Sequence, residues 1–298
     1  MRNSFINQLT HEAQNNKKIF LLCADLGYSV LETFRDKFQD RFINVGVSEQ
    51  NMAGIAAGIS MEGYNVFIYS LGNFPTLRAL EQIRYDIAYP KRNVKIITVG
   101  AGFAYGPLGV SHHATEDISI MRSIPNILTC SPCDPEESLN IASLLCKYDG
   151  PAYIRLNKNG EEKITSSNNK LKIGDISQIN NGNHTAIFAT GAIISSVLTE
   201  ARNKNVSVYS FPFINNIDEK KLIKIINKYH HIITIEENQL NGGFGSMILE
   251  KTNDYKNKGL IDEKLKIERV GIKDEFLDYS GDQKYLRSKA NLTITDLL

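Results

Sequence analysis

The sequence predicts an α/β protein with two doubly wound domains, a larger one built on a mostly parallel sheet and a smaller one after it. Short, continuously apolar runs alternate with stretches of helical periodicity, which is typical of parallel strands buried between two layers of helices. Between residues 157 and 183 the composition shifts to Lys, Asn, Ser and Gly, and this alternation fades. A chain of 298 residues is also longer than one typical hydrophobic core. We therefore place a first domain at 1–157, a linker at 158–182 and a second domain at 183–298.

The first domain begins with an amphipathic stretch at residues 3–15 and a buried strand at Ile19–Ala24. Two helix–strand pairs are then predicted at 49–62 and Asn65–Tyr69, and at 74–88 and Val94–Val99. After a glycine-rich loop come a strand, a helix and a strand, at Ile127–Cys130, Pro135–Lys147 and Ala152–Leu156. Repeated strand–helix–strand units of this kind predict a parallel sheet with helices on both faces.

The second domain shows a shorter version of the same alternation. Its predicted strands are Thr185–Ala189, Val206–Tyr209 and Ile232–Ile235. Its predicted helices are Ile193–Asn203, Asp218–Tyr229 and one that begins near Phe244. The last thirty or so residues have a mixed pattern, and we expect them to cap the second sheet.

Charge and composition narrow the range of partners. The formal net charge is +1, so no strong field attracts nucleic acid or an anionic membrane. No run of about 18 apolar residues occurs, and the N-terminal residues lack the apolar core of a signal peptide. The four cysteines, Cys23, Cys130, Cys133 and Cys146, lie in apolar surroundings. We expect a cytoplasmic protein without nucleic-acid or membrane partners.

Two motifs resemble binding signatures but lack the context that those signatures need. Gly100–Gly106 follows a strand like a dinucleotide fingerprint, yet Pro107 and Gly109 interrupt the helix that should come next. We interpret it as a mobile glycine-rich loop over a site. Cys130-Ser131-Pro132-Cys133 lies between a strand and a helix, but the preceding sheet is too large for a minimal thioredoxin. Since no second pair completes a zinc site, we interpret these cysteines as structural.

Two further polar stretches leave their roles open. His112 to Asp117 contains two histidines and two acids, but adjacent histidines rarely point to one metal ion. A hydrogen-bonding role in a polar pocket is the better interpretation of these residues. The turn Asn241–Gly245 introduces a helix, so it either cradles a phosphate at the helix start or is simply a tight turn.

One acid stands at the start of an unusually small-residue helix. Ser48 is a residue type that caps helices, Glu49 follows at once, and the helix continues as Ala53-Gly54-Ile55-Ala56-Ala57-Gly58. Glycines at this density let neighbouring backbones approach closely. On local grounds alone, Glu49 is an acid near a favourable helix N-terminus.

Taken together, five stretches resemble the C-terminal half of transketolases, which are thiamine-diphosphate enzymes. The stretches are Cys23–Gly27, Phe42–Asn51, Ser70–Arg78, Gly109–His113 and Thr234–Asn238, and their order and spacing also match. The resemblance covers nearly the whole chain and is strongest to split forms, in which two polypeptides share what is one chain elsewhere. It implies a pyrimidine-binding domain followed by the family's C-terminal domain.

The resemblance implies that Glu49 bonds N1′ of the cofactor's aminopyrimidine and promotes its imino tautomer. The imino nitrogen would then remove the thiazolium proton, giving the carbanion that attacks a ketose carbonyl. Phe74 is the implied aromatic on the pyrimidine, in a register good to about one residue. Asp25 and Arg78 are further implied cofactor contacts, and His112 joins Glu49 as an implied catalytic residue.

The resemblance also implies a set of substrate contacts. Arg2, Ser29, His112 and Lys158 fall roughly where transketolases hold a sugar phosphate, and His113 lies beside them in the chain. Lys158 replaces an arginine of the family, which weakens bidentate phosphate binding. Arg2 and Ser29 are equally well interpreted as ordinary surface residues.

Two departures from the family pattern bear on the substrate. Gly100 stands where transketolases usually have a substrate-binding histidine, and Leu108 stands where they have an aspartate that reads the acceptor hydroxyl. The loss of both contacts predicts a non-standard acceptor, such as a modified or less hydroxylated sugar. A kinetic preference for xylulose and ribose phosphates would contradict this prediction.

The family's diphosphate and Mg²⁺ motif, Gly-Asp-Gly followed by a later Asn, is not matched in this sequence. Gly281-Asp282-Gln283 lacks the second glycine and lies too near the C-terminus. The resemblance therefore implies an N-terminal transketolase subunit that carries the motif and holds most of the diphosphate and Mg²⁺. Gly54 and Gly58, four residues apart, predict close packing of two copies of this chain within an α2β2 assembly.

Three alternatives remain open. The chain could be the β subunit of a 2-oxoacid dehydrogenase or part of a deoxyxylulose-phosphate-synthase-like enzyme, although the paired histidines after Gly109 favour a ketose substrate. It could also be a non-catalytic assembly subunit that keeps the fold. The presence of Glu49 counts against that last alternative.

Overall fold

The first sheet is entirely parallel and sits between two layers of helices. A computed structural model describes residues 1–158, 160–166 and 170–298. Within them the first sheet has six strands in the order β2-β1-β3-β4-β6-β5. These are β1 (Ile19–Cys23), β2 (Phe42–Asn44), β3 (Asn65–Leu71), β4 (Val94–Val99), β5 (Leu128–Cys130) and β6 (Ala152–Leu156). The predicted doubly wound architecture is confirmed in this domain.

The helices of the first domain cover both faces of this sheet. They are α1 (Arg2–Asn15), α2 (Glu32–Lys37), α3 (Glu49–Met61), α4 (Leu80–Gln82), α5 (Asp117–Ser123) and α6 (Pro135–Leu145). Helices α1 and α6 bury apolar side chains with Phe67 and Ile97 on one face. Helix α3 and the segment after β3 pack with Ile68 and Ile96 on the other. Alternate strand residues thus supply two separate cores.

The second domain repeats the architecture with one antiparallel edge. Among the described residues its sheet has five strands in the order β11-β10-β8-β9-β7, and only β7 is antiparallel to its neighbour. The strands are β7 (Ser177–Asn180), β8 (Thr185–Ala189), β9 (Val206–Ser210), β10 (His231–Gln239) and β11 (Lys266–Ile272). The helices are α7 (Ile194–Glu200), α8 (Glu219–Ile226), α9 (Phe244–Asn257) and α10 (Gln283–Lys289).

Several elements differ from the prediction. Strand β7 lies inside the stretch assigned to the linker, because its polar residues sit at a sheet edge and carry no buried apolar pattern. Short elements α2 and β2 were not predicted. The predicted helix at 74–88 is present, but as π-helical turns at Phe74–Arg78 and Ile83–Ala88 on either side of α4. Of the described residues, no helix is long and apolar enough to cross a membrane.

The candidate active site

The predicted site residues of the first domain follow the carboxyl ends of the parallel strands. Asp25 comes after β1, Glu49 after β2, Phe74 after β3 and Lys158 after β6. In open α/β sheets this edge is where ligands bind. The fold therefore brings residues that are far apart in the sequence to one side of the domain.

Glu49 is a buried carboxylate at the first turn of α3. Its residue is 1% exposed. The Ser70 hydroxyl donates to Oε1 over 3.3 Å, and the Arg78 guanidinium donates to Oε2 over 3.0 Å. Ser48 precedes the helix without a side-chain cap; its hydroxyl donates to the Val45 carbonyl instead. The favourable field of the helix start and two donors thus hold a carboxylate that is shielded from solvent.

A cavity of about 480 Å³ opens beside this carboxylate. Phe74, Arg78 and His113 lie on its wall, and Glu49 itself does not. The Arg78 guanidinium stands 4.9 Å above the centre of the Phe74 ring, with half of its side chain exposed. Arg78 therefore lies between the cavity and the buried acid. The remaining wall residues are Asn73, Leu77, Val110, Ser111, Thr115, Glu116 and Phe276.

The two adjacent histidines have different surroundings. The His112 ring packs edge-on against Phe74 at 5.5 Å, and its Nδ1 lies 3.0 Å from the Ser111 hydroxyl. His113 is 3% exposed and packs edge-on against Phe103 at 5.1 Å. The diverging rings agree with the prediction of separate hydrogen-bonding roles rather than a shared metal ion.

Burial lowers the pKa of His113, which favours the neutral ring at neutral pH. The Gly106 carbonyl bonds the ring, while Nε2 has no partner among the described residues. A neutral imidazole with one donating nitrogen keeps its other nitrogen as an acceptor. His113 thus offers an unused acceptor at the wall of the cavity.

The other predicted contacts lie in two further places. Arg2 lies beside the Tyr69 hydroxyl, and the Lys158 ammonium lies 5.1 Å from the centre of the Tyr105 ring. Ser29 has a positive φ of 62°, and its backbone N–H donates to Glu32. Asp25 accepts a hydrogen bond from the Asn44 side chain over 3.0 Å and lines a separate cavity of about 110 Å³. None of these four residues lines the larger cavity.

The loop after β4 explains one departure from the family pattern. Gly100 has a φ of +101°, and a Cβ there would come within 2.4 Å of the Tyr105 ring. No side chain fits at this position, so a histidine could not be accommodated without moving Tyr105. Leu108 is 56% exposed on a turn of the same loop.

Sequence reasoning missed the buried charges that hold the site together. The Arg155 guanidinium donates to both oxygens of Asp117 and to the carbonyls of Ala114 and Glu237. Arg155 is 3% exposed and Asp117 is 1% exposed. The signal available was a charged residue inside the otherwise apolar strand Ala152–Leu156, since a buried charge requires a partner.

The remaining motifs have structural roles. Cys130 and Cys133 are free and buried, and burial raises the pKa of both thiols, so neither is an activated nucleophile. At the turn Asn241–Gly245, the start of α9 is already occupied by Glu236. Its carboxylate accepts from the backbone N–H groups of Phe244 and Gly245 over 2.6 and 2.7 Å. This leaves a tight turn rather than a phosphate cradle.

Two family models match the chain in succession. The pyrimidine-binding domain of transketolase matches residues 1–161, and the transketolase C-terminal domain matches residues 174–293. The chain belongs to the transketolase family. This confirms the family, the fold and the order of domains inferred from the five stretches.

Relatives of this transketolase chain are subunits of split enzymes. One of the two subunits of an apulose-4-phosphate transketolase, from Actinobacillus succinogenes, is 29% identical over 96% of this chain and 92% of its own length. A 6-deoxy-6-sulfo-D-fructose transketolase subunit of a Clostridium species is 29% identical over 100% and 92%. A solved structure described as a split gene transketolase, inactive β4 tetramer, superposes with a TM-score of 0.87 at 30% identity, covering 99% of this chain and 95% of that one. The prediction of a split transketolase subunit is confirmed.

Proposed function

We propose that this chain is the catalytic C-terminal subunit of a thiamine-diphosphate transketolase that moves a two-carbon ketol unit from a ketose to an aldose. The observation that carries the proposal is the buried Glu49 carboxylate at a helix start, beside a cavity walled by Phe74 at the carboxyl edge of the sheet. Full-length similarity to split-transketolase subunits supports it.

The residues present fit an aminopyrimidine ring. An aromatic wall at Phe74 suits a flat heterocycle, and Glu49 is a carboxylate that can bond a ring nitrogen. Arg78 already supplies a charged donor to that carboxylate, so a bound ring would take over this hydrogen bond. When bound, thiamine diphosphate supplies the nucleophilic carbon that accepts the ketol unit. Glu49 holds or releases a proton at Oε2, and Ser70 keeps its Oε1 in place.

The diphosphate and Mg²⁺ belong, in this proposal, to the N-terminal partner subunit with its Gly-Asp-Gly…Asn motif. Asp282 does not serve that purpose, because its carboxylate accepts from the Tyr285 N–H over 2.8 Å and caps α10. The structural relative made of β chains alone is described as inactive. That description supports a site that needs both chains.

Two copies of this chain are proposed to pack through α3 within an α2β2 assembly. A Cβ placed on Gly54 or Gly58 would meet nothing within 4 Å, so both glycines lie on an open surface of the helix. Their absence of side chains allows another helix to approach closely. The α3 packing would then place two Glu49 residues near one subunit seam.

The proposed acceptor is a sugar other than the ordinary pentose phosphates. Val110 and Phe276 put exposed apolar side chains on the cavity wall, and exposed Leu108 lies on the loop that leads to it. Relatives are named for apulose-4-phosphate and 6-deoxy-6-sulfo-D-fructose, which are uncommon sugars. Arg2, Ser29, His112, His113 and Lys158 remain the candidate substrate contacts, and Asp25 remains a candidate cofactor contact.

A reducing cytoplasm is the proposed location. The four cysteines are free, and all of them are buried in the described chain. Proteins of reducing compartments keep their thiols in this form.

Substitution of Glu49 tests the catalytic assignment. In the complex of this chain with its N-terminal partner, Glu49→Gln should lower the two-carbon transfer rate by about 10²- to 10⁴-fold, the range for loss of a general acid–base group. Glu62→Gln, at the exposed far end of the same helix, should leave the rate unchanged. Full activity of the Glu49→Gln complex would instead identify a non-catalytic assembly subunit.

A further inference from the structure

The side chain of Glu237 joins three parts of the chain at the edge of the cavity. Its Oε1 accepts from the Phe103 backbone N–H over 2.6 Å and from the Gln283 side chain over 2.9 Å. Its Oε2 accepts from Arg287 Nε over 2.6 Å. Glu237 is 4% exposed, so these are charge-assisted hydrogen bonds in a buried setting.

The loop that Glu237 holds is the glycine-rich loop after β4. Gly102 has a φ of +56°, and a Cβ on it would lie 2.4 Å from Glu237 Oε1. The loop backbone therefore approaches the carboxylate as closely as only glycine permits. This contact crosses from the second domain to the first.

The same loop carries the support for the histidines. Gly102 and Ala114 exchange two backbone hydrogen bonds of 3.0 and 2.9 Å, which tie the loop to the residue after His113. The Phe103 ring packs against the His113 ring, and the Gly106 carbonyl bonds it. A shift of the loop at Phe103 would therefore move the histidines of the cavity wall.

Glu237 is also tied to the helix and strand around it. Its own carbonyl accepts from Arg155 Nη2 over 2.7 Å, and Arg155 in turn holds Asp117. Helix α10 supplies Arg287 and Gln283. The carboxylate thus stands on rigid elements on one side and holds an irregular loop on the other.

We propose that Glu237 is a positioning residue of the transketolase reaction, which sets the place of His112 and His113 toward the sugar through the Phe103 N–H. The second domain contributes to substrate binding in this way without itself reaching the catalytic acid. The substrate part of this proposal rests on the proposed function, whereas the control of the loop by Glu237 does not.

Glu236 is a matched control on the same strand. It is adjacent, fully buried, and bonds only the start of α9. Neighbouring residues of a strand face opposite sides of the sheet. Substitutions at the two glutamates should therefore disturb the second domain alike and the loop differently.

Amide hydrogen exchange on the chain tests the positioning step without any assay of activity. Glu237→Ala should speed exchange of the amides at 100–113 by at least about tenfold, since each lost charge-assisted bond costs roughly 1.5–3 kcal/mol. Glu236→Ala should leave them at the wild-type rate. If Glu237→Ala does not fold, Glu237→Gln against Glu236→Gln makes the same comparison. Equal exchange of the loop in the two variants would overturn the proposal.

Kinetics of the complex with the N-terminal partner test the consequence for the sugar. For whichever sugar pair supports turnover, Glu237→Ala should raise KM by about 10- to 100-fold, the cost of a misplaced contact, with an unchanged Kd for thiamine diphosphate. Glu237→Gln keeps one acceptor for Phe103 and should recover part of the loss. An unchanged KM would overturn the proposal, whereas a wild-type complex without two-carbon transfer would refute the proposed function instead.

Discussion

At the scale of single residues, Glu137 connects the first turn of α6 with the second sheet. Its Oε2 accepts from the Cys133 N–H over 2.9 Å and from the Ser210 hydroxyl over 3.0 Å. Its Oε1 has no hydrogen-bond partner among the described residues. Burial raises the pKa of Glu137 from 4.5 to about 7, so desolvation outweighs the two hydrogen bonds that favour the anion.

The raised pKa of Glu137 predicts a loss of stability with rising pH. The folded chain binds this proton more tightly than the unfolded chain, so the contribution is complete below pH 4.5 and is lost as the pH rises through about 7. At 1.36 kcal/mol per pKa unit, the loss is about 3 kcal/mol. Urea unfolding at pH 5 and pH 8 should show that Glu137→Gln removes this part of the pH dependence.

The neighbouring Glu136 provides the control for that measurement. Glu136 is partly exposed and pairs with Lys163 over 2.9 Å. Glu136→Gln should keep the pH dependence of the wild-type chain. A Glu137→Gln variant with the same pH dependence as the wild type would show that this carboxyl is ionised throughout.

At the scale of elements, the segment after β3 is shaped by buried polar contacts beneath it. The Thr76 hydroxyl donates to the Gly72 carbonyl over 2.7 Å and lies 3.3 Å from the Tyr153 hydroxyl. Tyr153 donates to Asp117, which also pairs with Arg155. The wall that carries Phe74 is thus connected to β6 and to the start of α5 through one buried network.

Removal of Arg155 should be costly because Asp117 would remain charged and unpaired. Breaking a buried ion pair from one side typically costs about 3–5 kcal/mol. Arg155→Met should lower the free energy of unfolding by that amount in urea denaturation. The exposed pair Arg35–Asp36 is the comparison, and Arg35→Met should cost at most about 1 kcal/mol. Similar losses for the two variants would argue against a structural role for the network.

At the scale of the whole molecule, the sequence predicted what depends on local pattern. The apolar runs of β1, β3 and β4 are fully buried strands, and Glu49 lies at a helix start as its flanking residues indicated. The π-helical turns around α4 were not predictable, because their hydrogen-bond spacing leaves the helical periodicity nearly unchanged.

Contacts between distant residues also lay beyond the sequence. Arg155 and Asp117 are 38 positions apart, and Phe103 and Glu237 are 134 positions apart. No local pattern specifies such pairs, although their charges at apolar positions indicate that partners exist. The cavity wall likewise combines Phe74 with Phe276 of the second domain, which only the fold brings together.

The proposed dimer can be tested on an open surface of α3. Gly54→Leu should not destabilise the isolated chain, because nothing lies within 4 Å of a Cβ at that position. It should prevent close approach of a second α3, so sedimentation velocity should show monomers where the wild type gives dimers. Asn253→Leu, on exposed α9, should keep the wild-type association state. Dimers of the Gly54→Leu chain would place the interface elsewhere.

The central claim is that this chain provides half of a transketolase site. The most direct measurement is the two-carbon transfer rate at fixed thiamine diphosphate and Mg²⁺, as the N-terminal partner is titrated into this chain. The account predicts no transfer by this chain alone and a rate that rises with added partner and levels off at a ratio of one to one. Transfer at the full rate without the partner would contradict it, and so would a complete complex that transfers no ketol unit.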